Sequence, residues 1–372
     1  MSVLGLIFSN IHNKEIFEIT NYRTIASAPI GGRYRLIDFP LSSMVNAGIT
    51  TIGVITKNNY QSLMDHVGSG KEWDLARKNG GLVILPPYSN TINDEVYNTR
   101  LEAIKSISSF INHSTAEYVV LTDCYHVCNI NYKDVIKYHL EKNADITCVY
   151  RECMKEEDCH FPVNAFTLDE DNRVVKMELL NGFIGKINDS VDTWVMKREL
   201  LQSLIIESIN TNYHSFNRDI LSRNLKNLRV YGYNFKGYFG NICDLKSYYN
   251  VSKDLLKLEV REELFNQPGH AIYTKVRDSA PTKYGDNAKV SDSLIADGCI
   301  IEGEVKNSII FRGSKIKKGC VVEDSILMQD TIVEENITLK NVITDKNVQI
   351  KYKKELCGSE EYPIYVKKNG VI

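Results

Sequence analysis

The chain has 372 residues, enough for two domains with sizeable cores, and sets 45 Lys and Arg against 47 Asp and Glu. So even a balance leaves no electrostatic footprint for nucleic acid or for an anionic membrane surface. Nine cysteines at irregular spacings read as free thiols of a reducing cytoplasm rather than a disulfide framework.

The first apolar run, Val3–Phe8, has no basic flank and is too short for a signal peptide or a membrane span. It opens a series in which β-branched runs alternate with helix-period segments. Val3–Phe8, Thr51–Thr56, Gly81–Leu85, Tyr118–Thr122 and Ile146–Tyr150 are expected strands. Pro40–Ala47, Gln61–Val67, Val96–Ile111 and Tyr132–Lys142 are expected helices. That alternation predicts βαβ units and a mostly parallel, Rossmann-like sheet covered on both faces. Chemistry is then expected beyond the carboxyl ends of the strands, in the loops after Phe8 and Thr122. Cys148, Cys153, Cys159 and His160 lie near one another without zinc-site spacing and read as buried thiols. From Arg151 to Lys257 the pattern is mixed, with Lys197–Ile209 and Cys243–Leu256 as its clearest helices.

Between the first two strands stands Gly31-Gly32-Arg33-Tyr34-Arg35-Leu36-Ile37-Asp38-Phe39-Pro40. Two glycines permit a tight turn or a close backbone approach, and two arginines at alternate positions offer guanidinium forks to an anion. The plain alternative is a glycine turn with solvated arginines.

The pattern changes near Gln267-Pro268-Gly269. Residues 1–257 read as the α/β domain, 258–287 as a linker, and 288–372 as a second domain without helical period. There Ile310, Ile316 and Val322, then Ile326 and Ile332, then Ile337 and Ile343, recur six apart. Ser293-Leu-Ile, Ser308-Ile-Ile, Ser325-Ile-Leu and Asn341-Val-Ile form a coarser repeat with steps of 15, 17 and 16 residues. Six-residue steps, three to a coil, predict a left-handed β-helix of hexapeptide repeats.

A parallel α/β domain carrying Gly-Gly-Arg-Tyr-Arg-Leu-Ile-Asp-Phe before a hexapeptide β-helix resembles the ADP-glucose pyrophosphorylases (glucose-1-phosphate adenylyltransferases). Thr20-Asn21-x-Arg23, Tyr118-Val-Val, Phe216-x-x-Asp219-Ile and the helix after Cys243 extend the resemblance over nearly the whole chain. It implies a family that joins glucose 1-phosphate to the α-phosphate of ATP and releases pyrophosphate. The family's reactive positions are a Gly-Gly-x-Gly-x-Arg loop, a downstream Lys, two aspartates on Mg²⁺, and a Glu-Lys-Pro for the sugar phosphate.

Carried onto this sequence, those positions are degenerate. The loop glycines become Asn10, Ile11 and Asn13, its arginines His12 and Glu15, and the downstream Lys is Ile25. The metal aspartates become Tyr125, beside a retained His126, and Asn241; the Glu-Lys-Pro becomes Leu179-Leu180-Asn181. Asp123, two residues before Tyr125, is the nearest carboxylate that could replace the lost ligand. Tyr97, Glu102, Ser190 and Asp219 match family residues around the nucleotide sugar. Arg23 and Arg35 match positions near its sugar-bisphosphate effector site, whose neighbouring Lys and His are Tyr22 and Pro29 here. Arg23, Gly31, Gly32, Arg33 and Arg35 are therefore the anion-binding candidates.

This pattern resembles the GlgD-type, non-catalytic branch of the family. The resemblance implies a regulatory subunit in glycogen synthesis, in a heterotetramer with a catalytic pyrophosphorylase chain or, without that partner, in a homotetramer. No cofactor is expected for this chain itself, Mg²⁺ belonging to the catalytic partner. Two other readings stay open: an active nucleotidyltransferase with a relocated site, and a free-standing sensor of sugar phosphates or nucleotide sugars. A hexapeptide acyltransferase would need a histidine among the repeats, and the last one, His270, precedes them.

Overall fold

The computed structural model describes residues 1–10, 16–87, 97–155, 162–352 and 354–372. Its N-terminal domain is built on a nine-stranded sheet. We number the strands β1 (Val3–Phe8), β2 (Thr51–Ile55), β3 (Gly81–Leu85), β4 (Tyr118–Asp123), β5 (Ile146–Lys155), β6 (Val163–Leu168), β7 (Val174–Leu180), β8 (Gly185–Lys197) and β9 (Val230–Asn234). The order is β7-β6-β8-β4-β1-β2-β3, with β5 also on β8 and β9 on β5. β4, β1, β2 and β3 run parallel, as the alternating pattern requires, whereas β8 pairs antiparallel with β4 and β5.

Along β1 the pleat divides the core. Leu4, Leu6 and Phe8 pack with Leu101, Ile104 and Leu204 of helices Arg100–Ser106 and Arg198–Asn210. Ile7 turns to the other face, toward Phe39 and Met44 of helix Asp38–Asn46 and Val135 of Tyr132–Glu141. The expected helix Val96–Ile111 is two helices, Arg100–Ser106 and Ser108–His113. The first starts where Thr99 forms a capping box with Glu102, and Ile107 leaves helical geometry between them. Much of the mixed stretch after Arg151 is strand. The hairpin of β6 and β7 leaves Thr167, Val175, Lys176 and Leu179 exposed, polar and apolar alike, so no clean alternation marked it in the sequence. Helix Leu258–Phe265 lies in the stretch read as linker.

The C-terminal domain is three five-stranded parallel sheets, one per face of the β-helix, its first strand at Lys283–Tyr284. Ile301, Ile316, Val333 and Ile350 stack in register on one inner wall. Two details of the repeat differ from its reading in the sequence. Leu327 and Val333, not Ile326 and Ile332, point inward, and Ile326 pairs with Ile343, a step of 17 rather than 16. The neighbouring column Ile309, Ile326 and Ile343 faces outward and joins the core of the N-terminal domain. No helix among the described residues is long and apolar enough to cross a membrane.

Candidate functional site

A cavity of about 440 Å³ opens at the carboxyl end of β4, against β7 and β8. Three local devices bring its polar groups together. β4 ends on Asp123 and delivers Tyr125 into the cavity wall. A register shift in β8 between Ser190 and Thr193 puts Asp192 in left-handed backbone, φ 48°, and turns its carboxylate toward β4. The Thr99 cap places Arg100 as the first residue of its helix, at the sheet's carboxyl edge.

Arg100 then joins the two carboxylates. Its Nε donates to Asp123 Oδ2 at 2.8 Å, and its Nη2 donates to the same oxygen and to Asp192 Oδ2 at 2.6 Å. A cation is unfavourable at a helix N-terminus, where acids are preferred. Here the two aspartates outweigh burial and raise the guanidinium's affinity for its proton. The Trp194 ring lies 5.6 Å from the guanidinium carbon and closes it in. Tyr125 Oη donates to Asp192 Oδ2 at 2.5 Å, and burial holds its hydroxyl proton firmly.

Among the other positions that the resemblance aligns with the family's reactive residues, Asn241 faces His126 across a short antiparallel pair, and both Asn241 and Ile25 line the cavity. His126 is buried against Phe239, its ring pushed down to about 4 by burial. Asn10 is buried, with Nδ2 donating to Asn58 O at 3.1 Å. Leu180 pairs with Val163 while its neighbour Leu179 lines the cavity. Ile11, His12, Asn13 and Glu15, like Cys159 and His160, lie outside the described residues.

Of the nucleotide-sugar candidates, Ser190 lines the cavity and accepts a hydrogen bond from Asp192 N at 3.1 Å. The other three hold the local framework. Tyr97 Oη donates to Thr56 O at 2.5 Å, Glu102 accepts from Asn98 N at 2.7 Å, and Asp219 accepts from Ser215 N at 3.0 Å. Bonds from Arg218 and from the Ser215 and His214 amides hold the Asp219 carboxyl below its ordinary range.

The anion-binding candidates divide between two places. Gly31 and Gly32, at φ 58° and 82°, turn the chain between Pro29–Ile30 and Tyr34–Arg35. With exposed Arg33 they border a separate cleft beside Phe265 and the β-helix residues Leu294–Ala296. Arg35 turns inward and donates to Ser62 O at 2.5 Å and Ser62 Oγ at 3.0 Å. Its backbone amide, not its guanidinium, bonds to Asp38, whose other oxygen meets His66 Nε2 at 2.6 Å. Arg23 is buried and donates to Asp345 Oδ1 of the β-helix at 2.6 Å. Beside it lies Lys346, whose ammonium is pushed down to about 7 by burial and by Arg35, Arg23 and Arg277.

Arg100, Asp192 and Lys346 escaped the reading of the sequence. Arg100 left a trace, as a basic residue inside a Thr-x-x-Glu capping box, directly after its Thr. Asp192 and Lys346 left none, because their partners are remote in sequence.

The comparisons with known proteins agree with this architecture. Residues 14–178 match the nucleotidyl transferase family and residues 279–361 the GlmU-like C-terminal hexapeptide family. The glycogen biosynthesis protein GlgD of Bacillus subtilis is 33% identical over 99% of this chain and 96% of its own length. GlgD of Geobacillus stearothermophilus is 35% identical over 86% and 82% of the two chains. A glucose-1-phosphate adenylyltransferase of Thermotoga is 36% identical over 80% of this chain and 70% of its own. Likeness on this scale spans both domains, and the chain belongs to the bacterial glucose-1-phosphate adenylyltransferase (ADP-glucose pyrophosphorylase) family, in its GlgD branch.

Proposed function

We propose that this chain is a regulatory, catalytically inactive subunit of glucose-1-phosphate adenylyltransferase in glycogen biosynthesis. It works in the cytoplasm, in a heterotetramer with a catalytic chain of the same family. The observation that carries this reading is the Asp123–Arg100–Asp192 cluster with Tyr125. Adenylyl transfer needs cations aimed at phosphate oxygens as charge develops on them. In this cavity both described arginines face carboxylates, Arg100 those of Asp123 and Asp192 and Arg218 that of Asp219. Ile25 and Leu180 add no charge where the resemblance calls for lysines.

Magnesium does not fit the residues present. The two family metal positions offer a phenol that donates its proton to Asp192 and a neutral amide oxygen, while the carboxylates nearby hold Arg100. Among the described residues no three His, Cys, Asp or Glu side chains converge as ligands.

The regulatory half of the reading is supported by the junction of the two domains. Arg23, Arg35, Arg277 and Lys346 gather positive charge there, with Asp345 as the buried counter-charge. Such a seat suits a phosphorylated sugar effector, and it touches both domains.

The test is pyrophosphate release from ATP and glucose 1-phosphate with Mg²⁺. The isolated chain should turn over orders of magnitude below the usual enzyme range of about 1–10³ s⁻¹. Turnover within that range would overturn the inactive assignment. Failure of the chain to co-purify with a catalytic subunit from its own cell would overturn the subunit assignment.

A further inference from the structure

The misfit of a metal ion has a positive side. A divalent cation held by Asp123 and Asp192 would have to displace a guanidinium that is tethered to the chain and hydrogen-bonded to both carboxylates. Arg100 cannot diffuse away, so a metal would have to evict it against its own carboxylates and bring two like charges together in a buried space. Tyr125 adds a donor on the same Asp192 oxygen and crowds it further.

The walls next to this cluster favour one chemistry. Asp189, Asp192 and Glu178 line the cavity with their carboxylates beside Arg151, Arg100 and Lys176. The side-chain oxygens of two further wall residues, Asn217 and Asn241, accept no hydrogen bond from any described residue. With Arg100 and Arg218 already paired to carboxylates, phosphate oxygens, acceptors only, would face these two acceptors, whereas sugar hydroxyls donate. Met177 and Ile242 supply apolar surface for the C–H faces of a ring, and about 440 Å³ suits a small ligand.

We propose that Arg100 is a tethered cation standing in place of a divalent metal ion between Asp123 and Asp192, and that the cavity beside it is a metal-free receptor for an uncharged, hydroxyl-rich ligand of the hexose class. This goes beyond the regulatory assignment and holds whether or not a catalytic partner is bound.

Two measurements on the full chain test it. Terbium bound at Asp123 and Asp192 would be sensitised by Trp194, which packs on Arg100. Wild type should show no terbium luminescence that Asp192→Asn removes. Arg100→Thr should gain such a signal, and Asp192→Asn added to it should abolish the gain. By calorimetry in EDTA, glucose or maltose should bind wild type, with a Kd that changes less than two-fold when Mg²⁺ replaces EDTA. That binding should weaken at least ten-fold in Asn217→Leu. Glucose 1-phosphate should bind the same site at least ten-fold more weakly than the neutral sugar. An Asp192-dependent terbium signal in wild type would overturn the proposal. So would sugar binding that requires Mg²⁺, glucose 1-phosphate preferred at the site defined by Asn217→Leu, or no binding of either neutral sugar. The wild-type arms stand even if Arg100→Thr fails to fold.

Discussion

Arg100 decides more than any other single side chain here, because two buried carboxylates depend on it. Breaking a buried pair from one side leaves uncompensated charge and costs about 3–5 kcal/mol. Arg100→Ala is therefore expected to lower unfolding free energy by about that much in urea at neutral pH. A loss below about 1 kcal/mol would mean that water already screens the cluster, as at an exposed pair. The same geometry predicts that Tyr125→Asp with Asn241→Asp will not restore catalysis. The new carboxylate at position 125 would join Asp123 and Asp192 around a guanidinium, and neither Ile25 nor Leu180 would gain charge. Pyrophosphate release within ten-fold of an intact relative would refute that. At this scale the sequence shows which residues stand at the family's reactive positions, since each can be read in line. The Arg100 cluster was hidden, because Arg100 meets carboxylates 23 and 92 residues away.

At the scale of elements, legibility followed periodicity. β1, β3 and helix Gln61–Val67 match their expected bounds because each is a short run with one clear period and clear punctuation. The hexapeptide step gave the β-helix, but a step of six does not say which of two adjacent isoleucines points inward. Ile301 to Glu304 is two residues shorter than Ile316 to Val321, whereas Asp292, Asn307, Asp324 and Asn341, with φ of 47° to 49°, sit at a corner of constant length. Asn and Asp tolerate that left-handed backbone. The serine column beside those corners is structural. Ser325 Oγ accepts from Val342 N at 3.1 Å and donates to Glu323 O at 2.7 Å, and the side chain is fully buried. Ser325→Ala leaves a buried amide without its acceptor and should cost about 1–3 kcal/mol. Urea unfolding of the full chain reads it; no change would show that water enters the coil.

At the scale of the molecule, the two domains share one core and one charge cluster, so effector binding at their junction would act on both. Tyr248 and Leu255 pack with Ile309, Ile326 and Ile343, and Tyr249 Oη donates to Asp324 O at 2.7 Å. Tyr365 Oη donates to the second oxygen of Asp345 at 2.8 Å while Arg23 holds the first. Lys346 is the junction's titrating group. Its folded-state pKa is depressed to about 7, so above pH 7 it is largely neutral. A bound phosphate would favour the charged ammonium and raise that pKa, so binding takes up a proton. Affinity for a sugar bisphosphate should therefore rise as pH falls from 8.5 toward 7. The gain should flatten near pH 6, where the phosphate itself begins to protonate, its second pKa being about 6. Calorimetry at pH 8 in two buffers of different ionisation enthalpy should report net uptake approaching one proton per site. Lys346→Met should bind more weakly and lose most of that uptake. Binding with no uptake, or with proton release, would place the anion away from Lys346 and remove the junction as the effector seat.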